Sequence, residues 1–114
     1  MKVIFLDIDG VLNTPSSESR CGEYVGIDDD KVERLKKIVE KTKAEIVLIS
    51  TWKKYWRKEE KLKPLQDYSA TYLDEKLAKQ GLKAIDKTKD KADGRYLSRG
   101  ESILEYVYRN NVEN

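Results

Sequence analysis

A short apolar run that ends in two acids is the feature of this sequence that most restricts its fold. Residues 3–6 read Val-Ile-Phe-Leu and are followed by Asp7, Ile8 and Asp9. An unbroken apolar run of this length is typical of a strand covered on both faces, as in a parallel sheet flanked by helices. In such sheets ligands bind at the carboxyl ends of the strands, which is where the two carboxylates lie.

The rest of the chain alternates between helical and strand patterns. Helices are predicted over 28–42, 51–63, 71–80 and 98–110, and strands over 2–8, 45–50 and 82–88. Asp28 and Thr71 are the predicted N-caps of two helices, and Ser98 forms a capping box with Glu101 in the last one. Ile103, Leu104 and Val107 are expected to face inward from that helix, and the polar stretch 87–96 is expected to be a loop.

Composition limits the domain organisation and the chemistry. A chain of 114 residues forms one domain, here residues 1–114, and strands separated by helices predict a three-layer α/β sandwich with a parallel sheet. The 23 basic and 21 acidic residues give a net charge of only +2, which does not indicate a polyanionic partner. One cysteine, Cys21, and the absence of a membrane span or signal peptide indicate the cytoplasm. Without histidine, catalysis depends on carboxylates, hydroxyls, amines or the lone thiol.

Two strand ends converge on one predicted site. Asp7 and Asp9 point the same way because side chains alternate along a strand, and Gly10 allows a tight turn behind them. Ser50 and Thr51 follow the second strand at the same edge of the sheet. Two close carboxylates repel each other unless a cation lies between them or one is protonated. The alternative, that the acids only cap a turn, explains a lone Asp-x-Asp but not this full context.

Four sequence segments resemble motifs of one family. "LDIDGVLN", "ISTWK", "IDKTK" and "SRGESI" are similar to motifs of the haloacid dehalogenase (HAD) superfamily. The likeness is to its branch with little or no cap, which includes the phosphatase domain of polynucleotide kinase/phosphatase enzymes and the HAD domain of Swiss army knife RNA-repair proteins. The resemblance implies a Rossmann-like fold over the whole chain.

The resemblance also implies roles for individual residues. Asp7 would be the nucleophile that forms an aspartyl-phosphate, and Asp9 the general acid and base. Mg²⁺ would bind the Asp7 carboxylate and the Asp9 backbone carbonyl. A cation would complete the catalytic site, with Arg99 as first choice and Lys87 as second. The substrate phosphate would lie against Asp9, Gly10, Ser50, Thr51 and Lys53.

One expected element of the family is not found. The family carries a fourth motif strand that ends in paired acids, whereas this sequence reads "YVYRNNVEN" at the expected place. The resemblance therefore predicts an incomplete metal site with weak or no Mg²⁺ binding. It also leaves the first strand as an apolar edge, which predicts a homodimer through that edge or through a swapped C-terminal helix.

The resulting function has two alternatives. One is a Mg²⁺-dependent phosphatase whose partner is a phosphorylated small molecule or a nucleic-acid end. The other is a catalytically inactive phosphate-binding or regulatory module, or a fragment of a longer hydrolase. The aromatic and basic segment "WKKYWRK", residues 52–58, has a composition suited to stacking bases, but core packing of its aromatic residues is the favoured interpretation.

Overall fold

The computed structural model describes residues 1–113, which fold around a parallel three-stranded sheet. The strands are β1 (Val3–Leu6), β2 (Arg20–Cys21), β3 (Tyr24–Val25), β4 (Glu45–Leu48), β5 (Ala84–Lys87), β6 (Lys91–Ala92) and β7 (Arg95–Tyr96). The helices are α1 (Asp29–Thr42), α2 (Tyr68–Ala78) and α3 (Arg99–Asn110), with two 3₁₀ turns at Thr51–Lys53 and Glu60–Leu65. The sheet order is β1-β4-β5, and β2–β3 and β6–β7 are small antiparallel hairpins. The predicted α/β class and parallel sheet are confirmed.

The sheet has a helical layer on each face. Leu6, Ile46 and Leu48 join residues of α1 and α2 in one buried core. Side chains alternate along a strand, so Phe5 points to the opposite face. There its ring meets Tyr106 of α3 edge to face, with ring centroids 5.8 Å apart. The strands therefore lie between two layers, which explains their unbroken apolar sequence.

Helices α1 and α3 begin directly after their predicted N-cap residues, whereas α2 begins earlier than predicted. The Ser98–Glu101 capping box opens α3 as predicted. Asp28 precedes α1, but its carboxylate accepts from Ser17 and Lys31 rather than from a helix N–H. The predicted cap at Thr71 is wrong, because α2 begins three residues earlier and Asp67 accepts from the N–H of Ala70.

The predicted helix over 51–63 is also wrong, since this segment contains two separate 3₁₀ turns joined by an irregular stretch. A side chain from β5 supplies part of the explanation. Lys87 donates to the carbonyl oxygens of Lys53 and Trp56 at 2.9 and 2.7 Å, so these acceptors do not need helical partners. Trp56 is buried in the core, whereas Tyr55 is half exposed. Core packing therefore explains Trp56 but not the whole aromatic segment.

Two smaller details differ from the sequence prediction. The stretch 87–96 is not only a loop, because it contains the β6–β7 hairpin with positive φ at Asp93 and Gly94. An Asp-Gly pair is a strong signal for such a turn. In α3 the buried residues are Ser102 and Tyr106, while Leu104 is 60% exposed. Among residues 1–113, no helix combines the length and apolar character needed to cross a membrane.

Candidate active site

The candidate active site centres on a contact between Asp7 and Arg99. Arg99 Nη1 donates to Asp7 Oδ2 at 2.7 Å, although the two residues are 92 positions apart in sequence. The other carboxylate oxygen, Oδ1, accepts the N–H of Ile8 at 2.9 Å. The Arg99 side chain is 59% exposed and that of Asp7 is 24% exposed, so an incoming anion can reach the pair. The end of β1 and the start of α3 thus meet in one exposed ion pair.

Asp9 is held by two donors from different segments. Asn13 Nδ2 donates to Asp9 Oδ1 at 3.0 Å. The indole N–H of Trp52 lies 3.3 Å from both Asp9 oxygens. Hydrogen bonds from two directions fix the orientation of a carboxylate that would otherwise rotate freely.

The turn behind Asp9 is built around Asn13. Its side-chain carbonyl accepts the N–H of Gly10 at 3.0 Å, and its amide donates to the carbonyl of Gly26 at 2.8 Å. Gly10 has φ of +85°, which favours glycine, and a Cβ there would meet no atom within 4 Å. The requirement at Gly10 is therefore conformational, and its N–H is engaged by Asn13.

Ser50 and Thr51 lie at the carboxyl end of β4, as the sequence predicts. Ser50 is buried, and its oxygen accepts the N–H of Trp52 at 3.3 Å. Accepting this bond leaves the hydroxyl proton of Ser50 available to a ligand. Thr51 is exposed and opens the first 3₁₀ turn.

The ammonium groups of Lys53 and Lys87 bind partners other than Asp7. The ammonium of Lys53 is buried; it donates to the carbonyl and hydroxyl oxygens of Thr88 at 3.0 and 2.7 Å and pairs with Asp90 at 2.9 Å. Lys87 donates to backbone carbonyls of the segment after β4. Burial lowers the pKa of Lys87, and the charges of Arg57 and Lys53 lower it further. Of the two candidate cations, Arg99 is the one that the structure brings to Asp7.

The candidate ligands for Mg²⁺ are oxygen atoms, the type that this ion prefers, but there are few of them. Asp7 offers a carboxylate oxygen, and Asp9 has a backbone carbonyl at the same edge of the sheet. In residues 1–113 no three Asp, Glu, His or Cys side chains cluster as a metal-ion site. Mg²⁺ prefers hard oxygen ligands and retains several waters, so one or two protein oxygens together with a substrate phosphate fit its chemistry.

A cavity of about 360 Å³ opens beside Asp9. We call it the Asp9 cavity; it is lined by Asp9, Cys21, Tyr24, Val25, Thr51, Trp52 and Ser69. A larger depression of about 530 Å³ runs along α2 to the amino end of β5 and does not include the acids of β1. Of these two, the Asp9 cavity is the one that includes a predicted catalytic acid.

Comparison with known protein families identifies the fold. A family model described as the HAD domain in Swiss Army Knife RNA repair proteins matches residues 3–114. The chain belongs to this family. Comparisons with curated proteins and with solved structures found no match. Membership confirms the resemblance seen in the sequence and makes the chain a HAD domain; between β1 and α1 its described part carries only the β2–β3 hairpin in place of a cap.

Sequence reasoning missed two residues of this HAD domain. Asn13 stands in the "DGVLN" segment, where its role becomes visible only when the turn brings it back to Asp9. Trp52 is partly buried against the core, as the favoured interpretation of its segment predicts, but its indole N–H also reaches Asp9, which the sequence does not indicate. The signal for Asn13 was present, since an Asn four residues after an Asp and three after a Gly is well placed to hydrogen-bond the turn.

Proposed function

We propose that this HAD domain hydrolyses phosphate monoesters through a phosphoryl group carried on Asp7, with nucleotides or nucleic-acid ends as substrates. The observation that supports this most directly is the 2.7 Å contact between Asp7 and Arg99 at the carboxyl edge of the sheet. A nucleophilic carboxylate beside an exposed guanidinium can receive a phosphate, because the cation offsets the repulsion between the two anions. The family description, which refers to RNA repair, supports nucleic-acid ends as substrates.

In the first step Asp7 Oδ2 attacks phosphorus while Arg99 moves its hydrogen bonds to the phosphoryl oxygens. The new bond joins Oδ2 to phosphorus, and the bond from phosphorus to the ester oxygen breaks. Asp9, protonated at this stage, gives its proton to the leaving oxygen. The hydroxyl of Ser50 donates to a non-bridging oxygen and so positions the transferred group.

In the second step the aspartyl-phosphate is hydrolysed. Asp9, now a carboxylate, takes a proton from a water molecule that attacks phosphorus, and the bond to Asp7 Oδ2 breaks. The products are inorganic phosphate, free Asp7 and protonated Asp9. When bound by the Asp7 carboxylate and the Asp9 carbonyl oxygen, Mg²⁺ would neutralise charge between the nucleophile and the phosphate.

Lys53 has a less direct place in this scheme. Its ammonium already has three partners, two on Thr88 and one on Asp90. A phosphate contact by Lys53 therefore requires replacement of Asp90, whose side chain is 66% exposed.

The second candidate function is a catalytically inactive module that binds phosphate. The absence of a three-acid cluster in the described residues favours it, since an active hydrolase of this type benefits from a well-held metal ion. Arg99 and Ser50 would bind the anion in both cases. The phosphatase and the phosphate-binding module differ only in whether a bound phosphate ester is hydrolysed.

The test is release of phosphate from an aryl phosphate in the presence of Mg²⁺. Asp7→Asn is expected to abolish it, because an amide cannot form the acyl-phosphate. Asp30→Asn is the matched control, since Asp30 lies on α1 in an exposed ion pair with Arg34. Hydrolysis that survives Asp7→Asn would refute the mechanism. Inactivity of every form, wild type included, would favour the phosphate-binding module.

A further inference from the structure

We infer that the Asp9 cavity holds the leaving group of the phosphate ester and accepts a neutral, flat ring such as the base of a nucleoside. The inference rests on the proposed function, because it identifies the part of the substrate that lies next to Asp9. The shape of the cavity and the chemistry of its lining support it independently of the Asp7–Arg99 contact.

The position of the cavity indicates which part of the substrate it receives. A general acid must lie within hydrogen-bond reach of the oxygen that it protonates. Asp9 is part of the cavity wall, so that oxygen lies at the mouth of the cavity. The group attached to the leaving oxygen then extends inward, away from the contact between Asp7 and Arg99.

The lining is suited to an uncharged planar group. Tyr24 and Trp52 contribute aromatic rings, and the hydroxyl of Thr51 can donate to a ring nitrogen or a carbonyl oxygen. The hydroxyl of Ser69 already donates to Asp67 and can accept an N–H of the ring. Among the described residues that line the cavity, Asp9 is the charged one. A second phosphate or a carboxylate in this space would meet no cationic side chain among these lining residues, whereas a neutral ring needs none.

Trp52 forms a wall that is already ordered. Its indole N–H is bonded to Asp9, and its ring packs against Tyr72 with centroids 6.3 Å apart. Tyr72 is itself fixed, because its hydroxyl accepts the N–H of Ile27 at 3.0 Å. A pre-ordered ring loses little conformational freedom when a ligand stacks on it, which favours binding.

Tyr24 forms the outer wall of the cavity. It lies on β3 and is 77% exposed, so its ring is mostly solvated without a ligand. The base of the β2–β3 hairpin is firmly attached: the N–H of Gly26 donates to the carbonyl of Ser19 at 2.7 Å. A Cβ at Gly26 would collide with the hydroxyl of Tyr72 and the backbone of Arg20. The hairpin therefore holds Tyr24 at the rim of the cavity.

The volume of the Asp9 cavity limits the ligand to one nucleoside. About 360 Å³ lies at the lower end of small-molecule sites, which commonly span roughly 300 to 1,000 Å³. One base with part of its ribose fits this space, and a base pair does not. The nucleotide at the reacting end would thus be unpaired.

The test uses adenosine, which contains the base and ribose but no phosphate. Adenosine is titrated into the 114-residue protein while the indole N–H resonance of Trp52 is followed by NMR, with ribose as the negative control. Adenosine is expected to shift this resonance in a saturable manner, and ribose is not. Tyr24→Ala is expected to weaken binding by at least about fivefold, the lower end of base–aromatic stacking. Tyr108→Ala is the matched control, because that tyrosine is 85% exposed on α3 and outside the cavity.

The outcomes separate this inference from the proposed function. A Trp52 resonance that does not respond to adenosine, or a Tyr24→Ala variant that binds it as the wild type does, would overturn the assignment even if the protein is a phosphatase. Because adenosine carries no phosphoryl group, the measurement does not depend on hydrolysis. Adenosine binding without phosphate release from any ester would refute hydrolysis and, with it, the leaving-group role.

Discussion

Asn13 donates to Asp9 Oδ1 at 3.0 Å while its own side-chain oxygen accepts the N–H of Gly10 at 3.0 Å. One buried amide therefore ties the carboxylate and the turn that follows it into a single unit. Its second donor bond, to the carbonyl of Gly26, links this unit to the end of the β2–β3 hairpin. Asn13 is a positioning residue, since it acts on a substrate only through Asp9.

Replacement of Asn13 is expected to lower the rate according to the leaving group. Asn13→Ala releases one side of Asp9, and loss of a hydrogen bond to a charged group costs about 1.5 to 3 kcal/mol, or roughly tenfold or more in rate. An alkyl phosphate needs protonation of its leaving oxygen more than an activated aryl phosphate does. We therefore expect a larger fall in kcat for the alkyl ester, with KM changing less.

The leaving-group comparison also separates this role from a structural one. A variant that is merely less stable loses the same fraction of activity on both esters, because the fraction of folded protein does not depend on the substrate. Equal losses on the alkyl and aryl phosphates would therefore contradict the positioning role. The free energy of unfolding of Asn13→Ala, measured in parallel, shows how much of the loss comes from stability.

Arg99 is expected to dominate the binding of inorganic phosphate. Arg99→Ala should weaken binding by about 1 to 3 kcal/mol in a calorimetric titration, the usual range for a charge-assisted hydrogen bond. Arg34→Ala is the control, since Arg34 is an exposed cation on α1 that pairs with Asp30. Lys87→Met tests the other candidate cation, whose ammonium donates to backbone carbonyls instead. Weaker binding in Lys87→Met but not in Arg99→Ala would exchange the two assignments.

Local patterns in the sequence were sufficient for the sheet and two of the three helices. The apolar runs that became β1 and β4, and the Ser98–Glu101 capping box, depend on neighbouring residues alone. The segment 51–63 could not be predicted in this way, because the lysine that satisfies its carbonyls comes from β5. A partner about 34 residues away in sequence leaves no periodic trace in the segment itself.

The candidate site also combines residues that a local sequence pattern predicts with a cavity formed by segments far apart in sequence. Asp7, Asp9 and Ser50 follow directly from strand ends, whereas Arg99 is a candidate through the family resemblance; its place in the first turn of a helix, where a cation opposes the helix dipole, agrees with a role in the site. The hydrogen bond from Arg99 to Asp7 shows which of the two candidate cations, Arg99 or Lys87, pairs with this carboxylate. The Asp9 cavity could not be foreseen, since it requires the β2–β3 hairpin and the turn after β4 to come together in space.

Tyr106 is expected to make the protein sensitive to alkaline pH. Burial raises the pKa of Tyr106 to about 12, with smaller contributions from the charge of Asp86 and the hydrogen bond to it. The unfolded chain has the ordinary value of 10.0, so the stabilisation is complete below pH 10 and is lost as the pH rises toward 12. Two pH units correspond to about 2 to 3 kcal/mol. At pH 11, midway between the two pKa values, about half of this stabilisation, roughly 1.4 kcal/mol, is lost, and denaturant unfolding at pH 8 and at pH 11 measures it.

Two variants show whether this loss comes from Tyr106. Tyr106→Phe removes the hydroxyl that donates to Asp86 at 3.1 Å, so it should cost stability at pH 8 but lose less between pH 8 and pH 11 than the wild type. Tyr108→Phe is the matched change on the same helix, where the ring is 85% exposed. An unchanged alkaline loss in Tyr106→Phe would assign the effect to other groups.

The outer edge of β1 is expected to pair with a second copy of the chain. In the sheet of residues 1–113, β1 lies at the edge opposite β5. The carbonyls of Lys2 and Leu6 accept from Glu45 and Ile49, so these alternate residues face β4. By the same alternation the backbone groups of Val3 and Phe5 face outward. An apolar edge without lysine, proline or a bulge is a template for strand addition.

Val3→Pro tests this pairing with little effect on the sheet itself. Proline removes an N–H that faces the free edge, and it takes no hydrogen bond from the ladder between β1 and β4. Sedimentation over a range of concentrations is expected to show a dimer for the wild type and for the control Val3→Ala, and a shift toward monomer for Val3→Pro. A wild type that stays monomeric throughout, with the amides of Val3 and Phe5 protected from exchange, would mean that another segment covers this edge. The N–H of Glu113, which donates to the carbonyl of Met1 at 2.9 Å, shows that the chain after α3 already reaches the start of β1, so this segment would be the first to examine.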